Sequence, residues 1–314
     1  MSVEIAVIGP QRPFVLEALT KEYQVHNLIE AQDKIAALRP AAGRIRGVVT
    51  NAMTGLSAEM IDALPKLELC AVMGVGLETT NLPRARERGI VVTTTPVLYD
   101  DVADLAVILG MCAARRIAAA DRFVRSGQWL KGRIAPAQKF SGKRAGILGL
   151  GRIGMALAPR LQAFGMTIGF YDPQPKPGVP YQAYESPVEL ARNSEILFLA
   201  AAGGPGVRHI VNAEILGALG PKGIFVNVAR GWLVDEAALV ESLTTGRLGA
   251  AGLDVFEHEP KVPEELLGLD NVVLTPHIAS NTEETMHAMG ECLLDNVRSW
   301  FAGNGPVTPV ASWF

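Results

Sequence analysis

The sequence predicts an α/β protein built from two doubly wound parallel-sheet domains, one inserted in the other. Three observations predict it. The chain has 314 residues, too many for one ordinary core on a prior of ~150 residues per domain. Its short apolar runs alternate with helical stretches and are continuous rather than alternately polar, as in parallel strands covered on both faces. A glycine-rich turn joins a strand-like run to a helical one near residue 149.

Composition narrows the class. Hydrophobic residues make up 49% and charged residues 19%, which excludes a disordered tail or scaffold. A net charge of −3 offers no basic face to nucleic acid or to a membrane surface. No apolar run reaches ~18 residues, so no span is expected. Met1–Glu4 lacks the positive start of a secretory leader, and none is expected. Cys70, Cys112 and Cys292 are odd in number, far apart and without a CxxC pair. Neither a disulfide framework nor a metal site is expected, and reduced thiols in a cytoplasmic enzyme fit better.

The elements follow in order. Ile5–Ile8 opens a strand series that continues at Gly47–Thr50, Leu69–Met73 and Gly89–Thr93, with helical stretches such as Phe14–Glu22 and Ala58–Leu64 between them. At Asp100-Asp101, with Asp104 behind, carboxylates suit a positive helix end. The following Val102–Arg116 is apolar on nearly every side, which predicts a buried connector into a second domain. That domain runs strand–helix–strand from Lys143 to His277, and Thr282–Phe301 is a last helix returning to the first. The predicted division is therefore 1–99 with 283–314 for the discontinuous domain and 100–282 for the inserted one.

Arg144–Leu148 runs straight into Gly149-Leu150-Gly151-Arg152-Ile153-Gly154, and a helical stretch follows. In that context Gly149 serves a tight turn, Gly151 allows backbone to approach a pyrophosphate, and Gly154 allows close packing. The helix start offers unpaired N–H groups to the anion, making Leu150, Gly151, Arg152 and Ile153 the candidate contacts. Pro159 lies inside the expected helix, where proline costs ~3 kcal/mol, and predicts a kink or a tight early turn. The next strand, Thr167–Tyr171, ends in Asp172, 18 residues past Gly154. A carboxylate there accepts from ribose hydroxyls and repels a 2′-phosphate, so NAD is expected as cofactor, with NADP not excluded because Lys176 can reach a phosphate. A plain turn residue before Pro173 is the alternative for Asp172.

Three more ionisable residues follow strand-like runs. Arg230 comes after Ile224–Val228, a carboxylate, Glu257 or Glu259, after Ala250–Val255, and His277 after Asn271–Leu274. The carboxyl ends of parallel strands line the ligand crevice. An arginine fork holds carboxylate and carbonyl oxygens and stabilises a developing alkoxide. An imidazolium supplies a proton, and a carboxylate beside it raises its pKa and orients it. The set suits reduction of a 2-oxo acid.

Together with the glycine turn, the runs Asn227-Val228-Ala229-Arg230-Gly231, Gly252–Pro260 and Leu274-Thr275-Pro276-His277-Ile278-Ala279 resemble the D-isomer-specific 2-hydroxyacid dehydrogenases, over essentially the whole chain. The likeness is to the glyoxylate/hydroxypyruvate and hydroxyphenylpyruvate reductase branch. It implies a Rossmann dinucleotide-binding domain inserted in a flavodoxin-like substrate domain, and a homodimer formed through the central domain, with an arm around Leu130–Phe140. By the same resemblance Arg230 binds substrate, Glu259 supports His277, and His277 is the acid/base. Asp254 and the Val228 carbonyl hold the nicotinamide carboxamide, and Gly74-Val75-Gly76 gives amides to the substrate carboxylate. A small 2-oxo acid is the implied partner. The basic cluster usual in NADPH-using branch members is absent from Tyr171–Gln174.

Rival functions are a dinucleotide-sensing regulator, which a missing Arg, Glu or His would favour, and a methyltransferase, in which the three-residue set has no role. Formate dehydrogenase calls for glutamine at 259 by the resemblance. Glu257 competes with Glu259, and His26, His209, His258 and His287 read as structural or solvated. Trp129 is open between core packing, site closure and a subunit contact, and Met53 in Asn51–Gly55 between filler and substrate sizing.

Overall fold

Glu4–Val7 (β1) is buried at every position, the fate of an apolar run paired on both edges of a parallel sheet. With Gln24–Asn27 (β2), Ile45–Asn51 (β3), Leu69–Met73 (β4) and Val91–Thr93 (β5) it forms an all-parallel sheet of order β2-β1-β3-β4-β5. The computed structural model describes residues 2–203 and 206–310. Its contacts separate one unit, Met1–Leu98 with Asn281–Phe314, from another, Tyr99–Ser280. Tyr99 thus groups with the second unit, and Asn281 and Thr282 with the first, where the sequence draws its lines after 99 and 282.

In the first unit the apolar half of the sheet packs against Leu38, Ile61, Leu64 and Ile90. The last helix, Glu283–Phe301, is capped by Thr282, whose side chain accepts from Thr285 N–H. It lies on the helix Pro13–Glu22, and a Cβ at Gly290 would stand 2.3 Å from the Phe14 ring. A glycine is therefore required for that approach.

The second unit holds Arg144–Leu148 (β6), Thr167–Tyr171 (β7), Gln182–Ala183 (β8), Ile196–Leu199 (β9), Ile224–Asn227 (β10), Ala250–Leu253 (β11) and Val272–Leu274 (β12). All neighbours are parallel, in the order β12-β11-β10-β9-β6-β7-β8. The strand order reverses between β9 and β6, the switch point at which such sheets bind ligands. The helix Tyr99–Arg115 packs on β10, β11 and β12. It is not covered all round as its composition predicts, since Ile108 is 52% exposed.

Pro159 does not break its helix, which runs as α-helix from Arg152 to Ala163. Proline and the carbonyl it orphans, that of Met155, both belong to the exposed face, where water can take the carbonyl. The next residue adds a brace. Arg160 donates to Ala156 O at 2.7 Å and pairs with Asp100 and Asp104 at the start of Tyr99–Arg115.

Candidate active site

One row of strand partners sets the site. Leu274 pairs with Leu253, Leu253 with Asn227, Asn227 with Leu199, Leu199 with Leu148, and Leu148 with Tyr171. The residues that follow, Thr275, Asp254, Val228, Ala200, Gly149 and Asp172, therefore leave the sheet along a single carboxyl edge.

At the switch point Gly149 and Gly154 are constrained and Gly151 is open. Gly149 has φ +95, and a Cβ there would stand 2.4 Å from Ala201 Cα. A Cβ on Gly154 would stand 2.3 Å from the Gly149 carbonyl oxygen and crowd Ile147. At Gly151 a Cβ would meet nothing within 4 Å, and no side chain caps the helix it begins. An uncapped helix start beside open space is what a pyrophosphate fits. Leu150 N–H donates to Asp172 Oδ2 at 2.9 Å, so that amide is engaged with the carboxylate. The Arg152 guanidinium lies over the Tyr99 ring and bonds its hydroxyl through one of its five donors.

Two loops farther along bring the ionisable set together. His277 Nδ1 donates to Glu259 Oε2 at 2.7 Å, and Phe256 N–H donates to Glu259 Oε1 at 3.1 Å. Burial alone raises the Glu259 carboxyl. The bonds from His277 and Phe256, with the charges of His277 and Arg230, carry it below its ordinary value. The Glu259 bond raises His277 above the ordinary imidazole value against burial, the Asp254 charge adds to the rise, and the Arg230 charge opposes it. Arg230 is thus within electrostatic reach of both. It sits between Asn227, whose side chain accepts from Ala229 N–H and donates to Arg230 O, and Gly231, where a Cβ would stand 1.8 Å from Phe256 carbonyl carbon.

His277 has φ +55, a left-handed conformation uncommon outside glycine. Asp254, completely buried, holds it there. Its backbone carbonyl accepts from His277 N–H at 2.8 Å. Its carboxylate accepts from Thr275 Oγ1, Ile278 N–H and Ala279 N–H at 2.7–3.0 Å. At least three of the about four acceptor positions of that carboxylate are therefore engaged with the histidine loop.

A family model for the NAD-binding domain of D-isomer specific 2-hydroxyacid dehydrogenases matches residues 107–279. The chain is 45% identical to hydroxyphenylpyruvate reductase of Plectranthus scutellarioides over 310 residues, 98% of this chain and 99% of the relative. This chain belongs to the D-isomer specific 2-hydroxyacid dehydrogenase family. It is 44% identical to glyoxylate/hydroxypyruvate reductase A of Arabidopsis thaliana, with 98% of this chain and 99% of that one covered. Among solved structures, a 2-hydroxyacid dehydrogenase from Ketogulonicigenium vulgare superposes with TM-score 0.93 at 43% identity, covering 99% of each chain. An NADPH-dependent glyoxylate/hydroxypyruvate reductase from Sinorhizobium meliloti, bound to NADP and malonate, gives 0.93 at 39%, covering 100% of this chain and 98% of that one.

Within this 2-hydroxyacid dehydrogenase the bracing roles of two residues escape a reading of the sequence. Asn227, and Asp254 beside its expected place at the nicotinamide, shape the turns that carry Arg230 and His277, and nothing local in either run marks a brace. Glu257 accepts from Arg208 and from His209 at 3.0 Å, and its N–H donates to Glu236, so it is engaged away from His277. His26 pairs with Glu4, and His287 stacks on Phe14. In the first unit, Gly74 exchanges hydrogen bonds with Thr95, its N–H donating to the hydroxyl and its carbonyl accepting from the Thr95 N–H. That fixes the start of the loop bearing Val75 and Gly76. Asn51 Oδ1 accepts from Met53 and Thr54 N–H, and Met53 projects into solvent at 66% exposure. Trp129 is not core packing, since it is 67% exposed. Among the described residues no group of three or more histidine, cysteine, aspartate or glutamate side chains is placed to hold a metal.

Proposed function

We propose that this dehydrogenase reduces small 2-oxo acids, such as glyoxylate, hydroxypyruvate or an arylpyruvate, to 2-hydroxy acids, of the D configuration where the product is chiral. The observation that carries the reading is the 2.7 Å His277–Glu259 bond within the field of Arg230, on the sheet edge that also bears the glycine turn. A reduced nicotinamide coenzyme supplies the hydride when bound. The N–H groups from Gly151 to Ile153 hold its pyrophosphate, Asp172 its adenosine ribose, and the Val228 carbonyl and Asp254 its carboxamide. From β7 to β11 is four strand spacings, about 19 Å, so the residues that would hold the coenzyme are spread along the edge. Arg230 grips the carboxylate and the carbonyl oxygen and stabilises the alkoxide as it forms. His277, kept protonated by Glu259, gives its Nε2 proton to that oxygen. All three members of the set are present, and nothing favours a purely regulatory role.

The test is a panel of 2-oxo acids incubated with reduced coenzyme, with loss of nicotinamide absorbance followed and the product resolved on a chiral column. Turnover of at least one of the three acids is expected, with hydroxypyruvate or an arylpyruvate giving the D-isomer and glyoxylate giving achiral glycolate. No oxidation with any of them, by protein that binds the coenzyme, would defeat the proposal.

Two finer readings belong with it. Exposed apolar side chains concentrate in residues 108–134: Ile108, Ile117, Val124, Trp129, Leu130 and Ile134, with Leu130 at 94% exposure. Such a concentration on one stretch marks a contact surface, and a homodimer through this unit is its occupant. Sedimentation is expected to show a dimer that W129S/L130E converts to a folded monomer. A wild-type monomer at micromolar concentration would contradict it. The described residues contain no helix long and apolar enough to cross a membrane, and the three thiols are unpaired, which supports a cytoplasmic site of action.

A further inference from the structure

Asp172 has two jobs before any ligand arrives. Its Oδ1 accepts from Gln174 N–H at 2.9 Å, the local turn that an aspartate before proline makes. Its Oδ2 accepts from Leu150 N–H at 2.9 Å, pinning the glycine turn to the end of β7. The Lys176 ammonium lies 3.4 Å from the same Oδ2, with the Asp172 side chain only 10% exposed and that of Lys176 23% exposed. Of about four acceptor positions on the carboxylate, at least three are engaged, so the room left suits one ribose hydroxyl rather than two.

The charge balance changes what this position can exclude. A lone carboxylate rejects a 2′-phosphate by like-charge repulsion. Here an ammonium sits against it, and Pro173 and Pro175 stiffen the turn that returns Lys176 over Asp172. The pair is formally neutral, and its cation is carried on a flexible four-carbon stem with three donors. It can stay on Asp172 when the ribose bears a hydroxyl and turn to a phosphate when the ribose bears one.

We propose that Asp172 and Lys176 form a coenzyme selector that admits both NADH and NADPH, with Lys176 the specificity-determining residue that receives the 2′-phosphate. The inference rests on the glycine turn being a nicotinamide dinucleotide site, and it goes beyond that reading by assigning the choice between coenzymes to one side chain. A charge-assisted contact of this kind is worth roughly a factor of ten in affinity.

The experiment is direct titration of the protein with NADH and with NADPH, followed by the fluorescence of the reduced nicotinamide and without substrate. Wild type is expected to bind the two with dissociation constants within about tenfold of each other. K176A is expected to raise the ratio of the NADPH constant to the NADH constant by roughly tenfold or more, and K176R to keep it within about threefold. Added salt should weaken NADPH more than NADH in wild type, and should not do so in K176A, where Asp172 alone faces the phosphate and salt screens the repulsion. An unchanged ratio in K176A that still binds NADH overturns the assignment of Lys176, as does a wild type that takes NADH more than about a hundredfold better. Failure of wild type to bind either coenzyme overturns the selector together with the dinucleotide site. Because the titration needs no turnover, an inactive protein that shows the K176A effect still supports the selector.

Discussion

Replacing His277 with alanine is expected to lower turnover of a 2-oxo acid by about 10²–10⁴-fold while leaving the dissociation constant of the reduced coenzyme near that of wild type. The imidazole is the only group in the set that can deliver a proton at neutral pH. Glu259 is held ionised, and guanidinium groups in general are not proton donors in proteins. The fall must therefore appear in turnover rather than in coenzyme binding. Stopped-flow measurement of hydride transfer in H277A checks it, and a loss smaller than tenfold would remove His277 from the mechanism.

The pH profile gives the same claim a direction. The Glu259 bond raises the His277 pKa, so the ring stays protonated to higher pH than a free imidazole. Reduction needs the protonated ring and declines as pH climbs through that raised value. Oxidation of the hydroxy acid needs the neutral ring and grows over the same interval. E259Q removes the largest cause of the rise, so the alkaline limb of reduction should move to lower pH, with turnover falling less than in H277A.

The parts of this molecule that a sequence reader can see are those whose cause is local. Gly149, at φ +95, and Gly154, whose Cβ would meet the Gly149 carbonyl, answer constraints of the turn they form, and β4, buried at all five positions, reads as it is built. β2 escapes because Gln24–Asn27 is a polar edge strand with no residue fully buried, held by pairing with β1 rather than by its own pattern. Pro159 misleads for a related reason. Its cost depends on which face it occupies and on whether a neighbour such as Arg160 ties the turn to another helix, and neither is written within the helix itself. Asp254 is the clearest case at the site. The resemblance gives its carboxylate to the nicotinamide carboxamide, and the structure adds a second role, since at least three of its acceptor positions hold the histidine loop, 21–25 residues farther along. Long-range hydrogen bonds of that kind have no signature in composition or spacing.

Arg230 is the second large effect. R230Q is expected to lower kcat/KM for the 2-oxo acid by about 10²–10³-fold, the range for removing a donor aimed at a developing oxyanion, with coenzyme affinity little changed. R230K should recover little of it, because an ammonium is a point charge and cannot span carboxylate and carbonyl oxygens as a planar fork does. The turn allows no easy repair from the backbone either, since Asn227 braces it on one side and Gly231 meets Phe256 on the other. A general loss of structure could imitate a slow enzyme, and pH separates the two. The Arg230 charge lowers the His277 pKa, so removing it should move the alkaline limb of reduction to higher pH, the reverse of E259Q. Limbs that move together in R230Q and E259Q would mean that these charges do not act on one imidazole.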